Sequence, residues 1–164
     1  MERLWAPWRM GYFTREKPKG CIFCPDLGAG DWEERLILYA GEAVLIMMNK
    51  YPYNNGHLLI APRRHTGDLL ELTDEELYKL SWAIRESVGI LKKVMNPHGF
   101  NLGMNLGAVA GAGVSAHLHY HLVPRWEADT SFMTIISDVR VLPEHLKDTF
   151  CRLAPHFKNL GEGG

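Results

Sequence analysis

The chain has little that would tie it to a membrane, to nucleic acid or to a disulfide scaffold. Its best apolar stretch, Ala43 to Met48, is strand-sized and far short of the roughly 18 residues of a membrane span, so no membrane partner is expected. Neither sign of charge dominates, with 18 Lys and Arg against 19 Asp and Glu and a net charge of −1. That balance gives no global basic field for nucleic acid, and any anionic ligand must be held by a local site. Cysteine is scarce, at 3 of 164 residues. Folding at this length buries roughly 70% of the surface an unfolded chain exposes, so no disulfide staple is required. Met1-Glu2-Arg3 leads into Trp5, Pro7 and Trp8 rather than into an apolar signal core, and a cytoplasmic location is expected. Repeats and low-complexity blocks are absent. Hydrophobic residues at 46% and charged ones at 23% describe an ordinary globular chain, and the length suits one domain. What the sequence has in excess is histidine, 8 residues.

Residues 1–20, with two Trp, two Pro, Tyr12 and Phe13 but no periodicity, read as an N-terminal arm. A single domain is expected over 21–164. Strand-like segments follow at Leu36 to Tyr39, at Ala43 to Met48 and at Gly56 to Ala61, the last ended by Pro62. Their short connections favour antiparallel neighbours. Thr73-Asp74-Glu75-Glu76 is a capping box, after which Leu77, Leu80, Ile84, Val88, Leu91 and Met95 make one helical stripe that Asn96-Pro97 ends. Two further strands are expected at Gly99 to Leu106 and Ala116 to Val123, separated by the Gly/Ala-rich loop Gly107 to Ser115. A last helix opens at Pro143 and runs through Leu146, Phe150 and Leu153. A largely antiparallel sheet with one major helix and a C-terminal helix is an α+β architecture.

His117-Leu118-His119-Tyr120-His121 alternates strictly. On a strand this places the imidazoles on one face, about 6–7 Å apart, with Leu118, Tyr120 and Leu122 facing the core. Packing gives no reason to gather imidazoles, since each carries two polar nitrogens that need partners. The run therefore reads as a reactive cluster or a tri-ligand metal site, against the plainer reading of exposed surface histidines. Cys21-Ile22-Phe23-Cys24 has the gap that brings two thiolates to one zinc; a redox pair and two unrelated thiols share that spacing. Cys151 reads as a small core side chain, and His98, His145 and His156 as surface residues. Asp74 to Glu76 is a helix start rather than a carboxylate site.

The histidine run followed by two apolar residues resembles the signature of the histidine triad family of nucleotide hydrolases and transferases. Asn49-Lys50-Tyr51-Pro52 with Gly56-His57, then Pro62 to His65 and the Gly/Ala-rich loop, extend the resemblance over about residues 21–126. Leu4 to Met10 and Val123-Pro124-Arg125-Trp126 resemble more narrowly the bacterial branch that includes diadenosine tetraphosphate phosphorylases. The resemblance implies a fold of about five antiparallel strands and a homodimer with the arm or the long helix near its interface. It also implies that His119 attacks the α-phosphorus of a nucleotide and forms a nucleotidyl-histidine, a role suited to an imidazole largely neutral at pH 7.

On the same resemblance His117 and His121 bond to phosphoryl or leaving-group oxygens, and His57 orients a triad member. Asn49 reaches ribose hydroxyls, Asn105 lies near the phosphates, and Gly113 and Val114 offer backbone donors. Asn49 and Asn105 also suit plain turn chemistry. Trp126 closes over the ligand or is a packing residue. Arg63 and Arg125 add charge near phosphates, or at least one is merely solvated. Family members also join the cysteine pair to two histidines, which here are His65 and His117, as a structural zinc site. As a zinc ligand His117 is scaffold rather than acid catalyst. No divalent metal is required for the two-step displacement. The expected substrate is a dinucleoside polyphosphate, with water or phosphate as acceptor. A nucleoside phosphoramidate substrate and a nucleotide-binding regulatory module with little turnover remain alternatives.

Overall fold

Short apolar segments separated by tight turns build an antiparallel sheet in the computed structural model, which describes residues 20–25, 32–127, 129, 144–158 and 160–161. The arm expected over 1–20 lies, Gly20 excepted, outside the described residues, as does Pro143. The strands are β1 (Ile37–Ala40), β2 (Val44–Met48), β3 (Leu58–Pro62), β4 (Gly99–Met104) and β5 (Tyr120–Arg125). They lie in the order β1-β2-β3-β5-β4, and every neighbouring pair is antiparallel. Among the described residues two α-helices, α1 (Asp74–Met95) and α2 (Leu146–Phe157), complete the α+β architecture. Among the described residues no helix is long and apolar enough to cross a membrane.

Alternation assigns the two faces of the sheet. Val44, Ile46, Met48, Leu58, Ile60 and Leu122 point to the helices and form the main core with Leu80, Leu91, Phe150, Leu153 and Phe157. Leu45, Met47, Leu59 and Ala61 point the other way and pack with Ile37 under Phe23. The histidines belong to this second face, since His121 is paired with Leu59 on β3 and with Gly103 on β4.

The capping box at α1 is complete: the Glu76 N–H donates to Thr73 Oγ1 at 3.2 Å and the Thr73 N–H donates to Glu76 Oε2 at 2.9 Å. Asn96 ends the helix in the left-handed conformation, φ 49° and ψ 53°. The buried row of α1 differs from the expected stripe. Leu80, Ala83, Ser87 and Leu91 are buried, while Ile84, Val88 and Met95 flank them half-buried. Leu77 is 36% exposed, because the first turn stands clear of the core residues that cover the rest of the helix. Cys151 is exposed, which corrects its expected core position. It follows Phe150 by one residue, about 100° around the helix, and so falls off the stripe of Phe150, Leu153 and Phe157.

The last strand also differs from expectation. β5 starts at Tyr120, so His117, Leu118 and His119 precede the ladder. There the Leu118 N–H donates to the Thr66 carbonyl at 2.7 Å, and Leu118 still reaches the main core. Pro124 sits inside β5 without losing a ladder bond to β3, because that pairing ends at Leu122. Its free carbonyl accepts from Asn54 Nδ2 at 3.1 Å.

Candidate functional site

Segments joined to the second face of the sheet hold two groups of histidines with different surroundings. His119 is buried at 6% exposure. Its Nδ1–H donates to the carbonyl of His117 at 2.9 Å, which fixes the tautomer and leaves the Nε2 lone pair available. Burial lowers its pKa, opposed by the bond to that carbonyl, and the ring is held neutral. A neutral imidazole with one nitrogen bonded and the other bare is a nucleophile.

His121 and His57 make a directed pair. The Tyr53 N–H donates to His57 Nδ1 at 3.1 Å, and Asn49 Nδ2 approaches the same nitrogen at 3.3 Å. His57 Nδ1 is thus the acceptor, and its proton resides on Nε2. That Nε2–H donates to His121 Nδ1 at 3.0 Å. His121 consequently carries its own proton on Nε2, where it can donate to an oxygen of a ligand. The His121 ring meets that of His119 edge-on, with centroids 5.0 Å apart. A cleft of about 300 Å³ opens beside His121, lined also by Tyr53, Asn101, Gly103, Val123 and Arg125.

His117 faces elsewhere. It is 1% exposed, its Nε2–H donates to the Pro62 carbonyl at 2.8 Å, and its Nδ1 lies 3.4 Å from both Cys21 Sγ and Cys24 Sγ. His65 Nδ1 is 3.2 Å from His117 Nδ1 and 3.3 Å from Cys24 Sγ. The ligand atoms of Cys21, Cys24, His65 and His117 all lie within 4.8 Å of one another. This cluster can hold a metal, and the Pro62 carbonyl is the outer partner that orients the His117 ring. Both nitrogens of His117 are thereby engaged away from His119 and His121. Burial, only partly opposed by the Pro62 bond, lowers its pKa, which keeps Nδ1 a free lone pair as ligation requires.

The other expected residues divide. Asn49 is brought to His57, and its Oδ1 accepts from the Tyr51 N–H at 2.9 Å. Asn105 Nδ2 donates to the Gly111 carbonyl at 3.4 Å, closing the loop before the triad. Val114 is half-buried against the apolar cluster of the second face, while Gly113 is exposed. Trp126 is half-buried just beyond β5, its N–H donating to Asp129 Oδ2 at 3.1 Å. Asp129 also takes two bonds from Arg125, at 2.6 and 2.7 Å, so the Arg125 charge is paired. Arg63 has a buried Nη1 without a hydrogen-bond partner.

Sequence reasoning did not single out Tyr53, Phe23 or Asp129. Tyr53 acts through a backbone N–H, which no side-chain pattern reveals. Phe23 could have been noticed as an aromatic enclosed by two candidate ligands. Asp129 follows Arg125 at the spacing of an ion pair.

The class defined by this fold and site is that of antiparallel α+β domains in which a histidine run leads into the strand between a sheet's edge and its centre, one imidazole keeping a bare nitrogen. Residues 33–128 match the HIT domain, and the chain belongs to the HIT domain family. It is 39% identical over 160 residues to the AP-4-A phosphorylase of Mycobacterium tuberculosis, covering 91% of this chain and 80% of that one. Among solved structures, it resembles a hypothetical histidine triad nucleotide-binding protein from Sulfolobus tokodaii with a TM-score of 0.64 and 26% identity, over 85% of this chain and 93% of that one. A Zn-bound histidine triad family protein from Mycobacterium smegmatis shares the fold with a TM-score of 0.61 and 24% identity, over 75% and 84% of the two chains.

Proposed function

We propose that this protein cleaves a dinucleoside polyphosphate of the diadenosine tetraphosphate kind in two displacements. His119 Nε2 attacks the α-phosphorus, the remaining nucleotide leaves, and an acceptor then takes the nucleotidyl group from the imidazole. The observation that carries this reading is the Nδ1–H bond to the His117 carbonyl, which leaves Nε2 unprotonated beside His121 in a chain 39% identical to an AP-4-A phosphorylase. His121 Nε2–H donates to the phosphoryl or leaving oxygen, with Tyr53 and His57 holding its tautomer. Asn49 contributes from beside His57, Trp126 and the backbone of Gly113 and Val114 flank the ligand, and Asn105 shapes their loop. Positioning and charge stabilisation supply most of the acceleration in such transfers.

Phosphate is the acceptor this reading favours, because the relative similar over most of the chain is named a phosphorylase. Incubation of diadenosine tetraphosphate with and without inorganic phosphate is the test. Appearance of a nucleoside diphosphate only with phosphate supports phosphorolysis; nucleoside monophosphate in both cases makes water the acceptor. No cleavage in either case overturns the reading.

The cysteine–histidine cluster is assigned a structural zinc, held by Cys21, Cys24, His65 and His117. Bonds of about 2.3 Å to sulfur and 2.0–2.1 Å to nitrogen place adjacent donors of a tetrahedral zinc about 3.3–3.8 Å apart. Four of the six donor separations, 3.2 to 3.4 Å, lie at or just below the short end of that range, and all six fall within 4.8 Å. Bound there, the ion supplies a cross-link between the Cys21–Cys24 turn, the end of β3 and the triad, and no reacting group. A homodimer is also part of this reading. The edge strand β4, with Asn101, Leu102 and Gly103 exposed, supports it, and analytical ultracentrifugation tests it.

A further inference from the structure

The mechanism leaves unused an aromatic ring that touches both histidine groups. Phe23 is 1% exposed. Its ring stacks on that of His119 with centroids 4.7 Å apart and 28° between planes, and it is tilted on that of His117 at 5.2 Å. It lies between Cys21 and Cys24 in a turn closed by the Cys24 N–H donating to the Cys21 carbonyl at 3.1 Å. One of the two residues between the thiol ligands, Phe23, therefore lies against the nucleophile.

We propose that Phe23 is a positioning residue for His119, held by the metal-binding turn, so that occupation of the Cys21–Cys24–His65–His117 site sets the direction of His119 Nε2. This rests on the assignment of His119 as nucleophile. The hydrogen bond to the His117 carbonyl fixes one edge of the imidazole but leaves the ring free to rock about that edge. A ring packed flat against its face removes that motion. A misplacement of about 1 Å at a reacting atom can cost roughly a hundredfold in rate. Phe23 belongs to one buried cluster with Ile37, Leu45, Met47, Leu59 and Ala61. A ring that only filled this cluster would be replaceable by another apolar side chain of similar bulk. One that orients an imidazole would not.

The experiment compares wild-type holoprotein with Phe23→Leu, using metal content, single-turnover nucleotidylation of His119 and proton NMR of the His119 ring, assigned by loss of its signals in His119→Ala. Phe23→Leu should keep its metal and its KM, lower the rate of the chemical step about tenfold, and shift the His119 ring protons through loss of the stacked ring. Chelation of wild-type protein should move those protons in the same direction. An unchanged rate in a metal-loaded Phe23→Leu protein overturns the proposal, as do His119 ring protons that ignore chelation. If Phe23→Leu does not fold, chelation of the wild type decides the question. A wild type that cleaves no dinucleoside polyphosphate refutes the proposed function instead, while the NMR comparison still judges the link between metal, Phe23 and His119.

Discussion

The ring of Tyr53 lies nearly parallel to that of His57, with centroids 5.1 Å apart and 17° between planes, while the Tyr53 N–H donates to His57 Nδ1 at 3.1 Å. One residue thus fixes both the plane and the tautomer of an imidazole that makes no expected contact with substrate. The direction is passed on, since His57 Nε2–H donates to His121 Nδ1. A backbone donor at the start of the chain cannot be titrated away, so His121 presents a donor Nε2–H whatever the ligand.

His57→Ala should therefore slow turnover by about ten- to a hundredfold with little change in melting temperature beyond that of a buried truncation. Nitrogen NMR of the wild type should show an unprotonated, hydrogen-bonded Nδ1 and a protonated Nε2 on both His57 and His121. In the variant, His121 should sample both tautomers. A single unchanged His121 tautomer without His57 contradicts the directed pair.

The start of α1 carries a pH dependence of its own. The Arg64 guanidinium, first of all, with help from the Thr73 N–H, holds the Glu76 carboxyl down at about 2. A carboxylate whose folded pKa is depressed contributes stability above its unfolded pKa, and that contribution is lost as pH falls from about 4.5 towards 2. Arg64 is 45% exposed, so solvent screening limits the effect, and Glu76→Gln should cost about 1–2 kcal/mol at neutral pH. Denaturant titrations of the two proteins should draw together below about pH 4.5 and meet near pH 2. Curves that stay parallel down to that pH contradict the ion-pair assignment.

Between β3 and α1, Gly67 lies against the loop that precedes the triad. A Cβ there would meet the Ser115 carbonyl oxygen at 2.6 Å, backbone against backbone, one residue from where Leu118 N–H bonds to Thr66. Gly67→Ala should cost about 1–3 kcal/mol through overpacking and displace Ser115 and Ala116. Its thermal unfolding should fall accordingly, with nucleotide affinity reduced as well. An Ala variant as stable as the parent contradicts the close approach.

The elements that could be read along the chain are those specified by local rules. The capping box at Thr73 and the left-handed Asn96 need only a few neighbouring residues, and both fall where their residue types suggest. The alternation of Leu118, His119, Tyr120, His121 and Leu122 likewise separates core from site, even where no ladder is formed. Less legible is what depends on a partner far along the chain. The strand expected from Ala116 begins at Tyr120 because the Leu118 N–H is taken by Thr66, more than fifty residues earlier. Cys151 is exposed because it lies one step off the helical stripe, and its small size alone does not distinguish that position from one on the stripe. Tyr53 acts through a backbone N–H, which leaves no motif, and Phe23 is marked only by its place between two cysteines.

Two adjacent members of the histidine run should separate by their consequences. His119 has a bare Nε2 and a neighbour in His121, whereas His117 has its nitrogens on the Pro62 carbonyl and among the thiols. His119→Ala should abolish turnover while leaving bound metal unchanged, and chelator should still lower its melting temperature. His117→Ala removes one of four donors and leaves the Pro62 carbonyl unpaired in a buried place, which costs about 1–3 kcal/mol in addition to the lost metal linkage. Its melting temperature should fall to or below that of chelated wild type and respond no further to chelator. Its activity should fall as well, but through misplacement of His119, whose Nδ1 bonds to the carbonyl of that same residue. Metal content by elemental analysis and melting with and without chelator, measured on both variants, give the answer. A His117→Ala protein that keeps its metal and melts like the parent would return His117 to the reacting group.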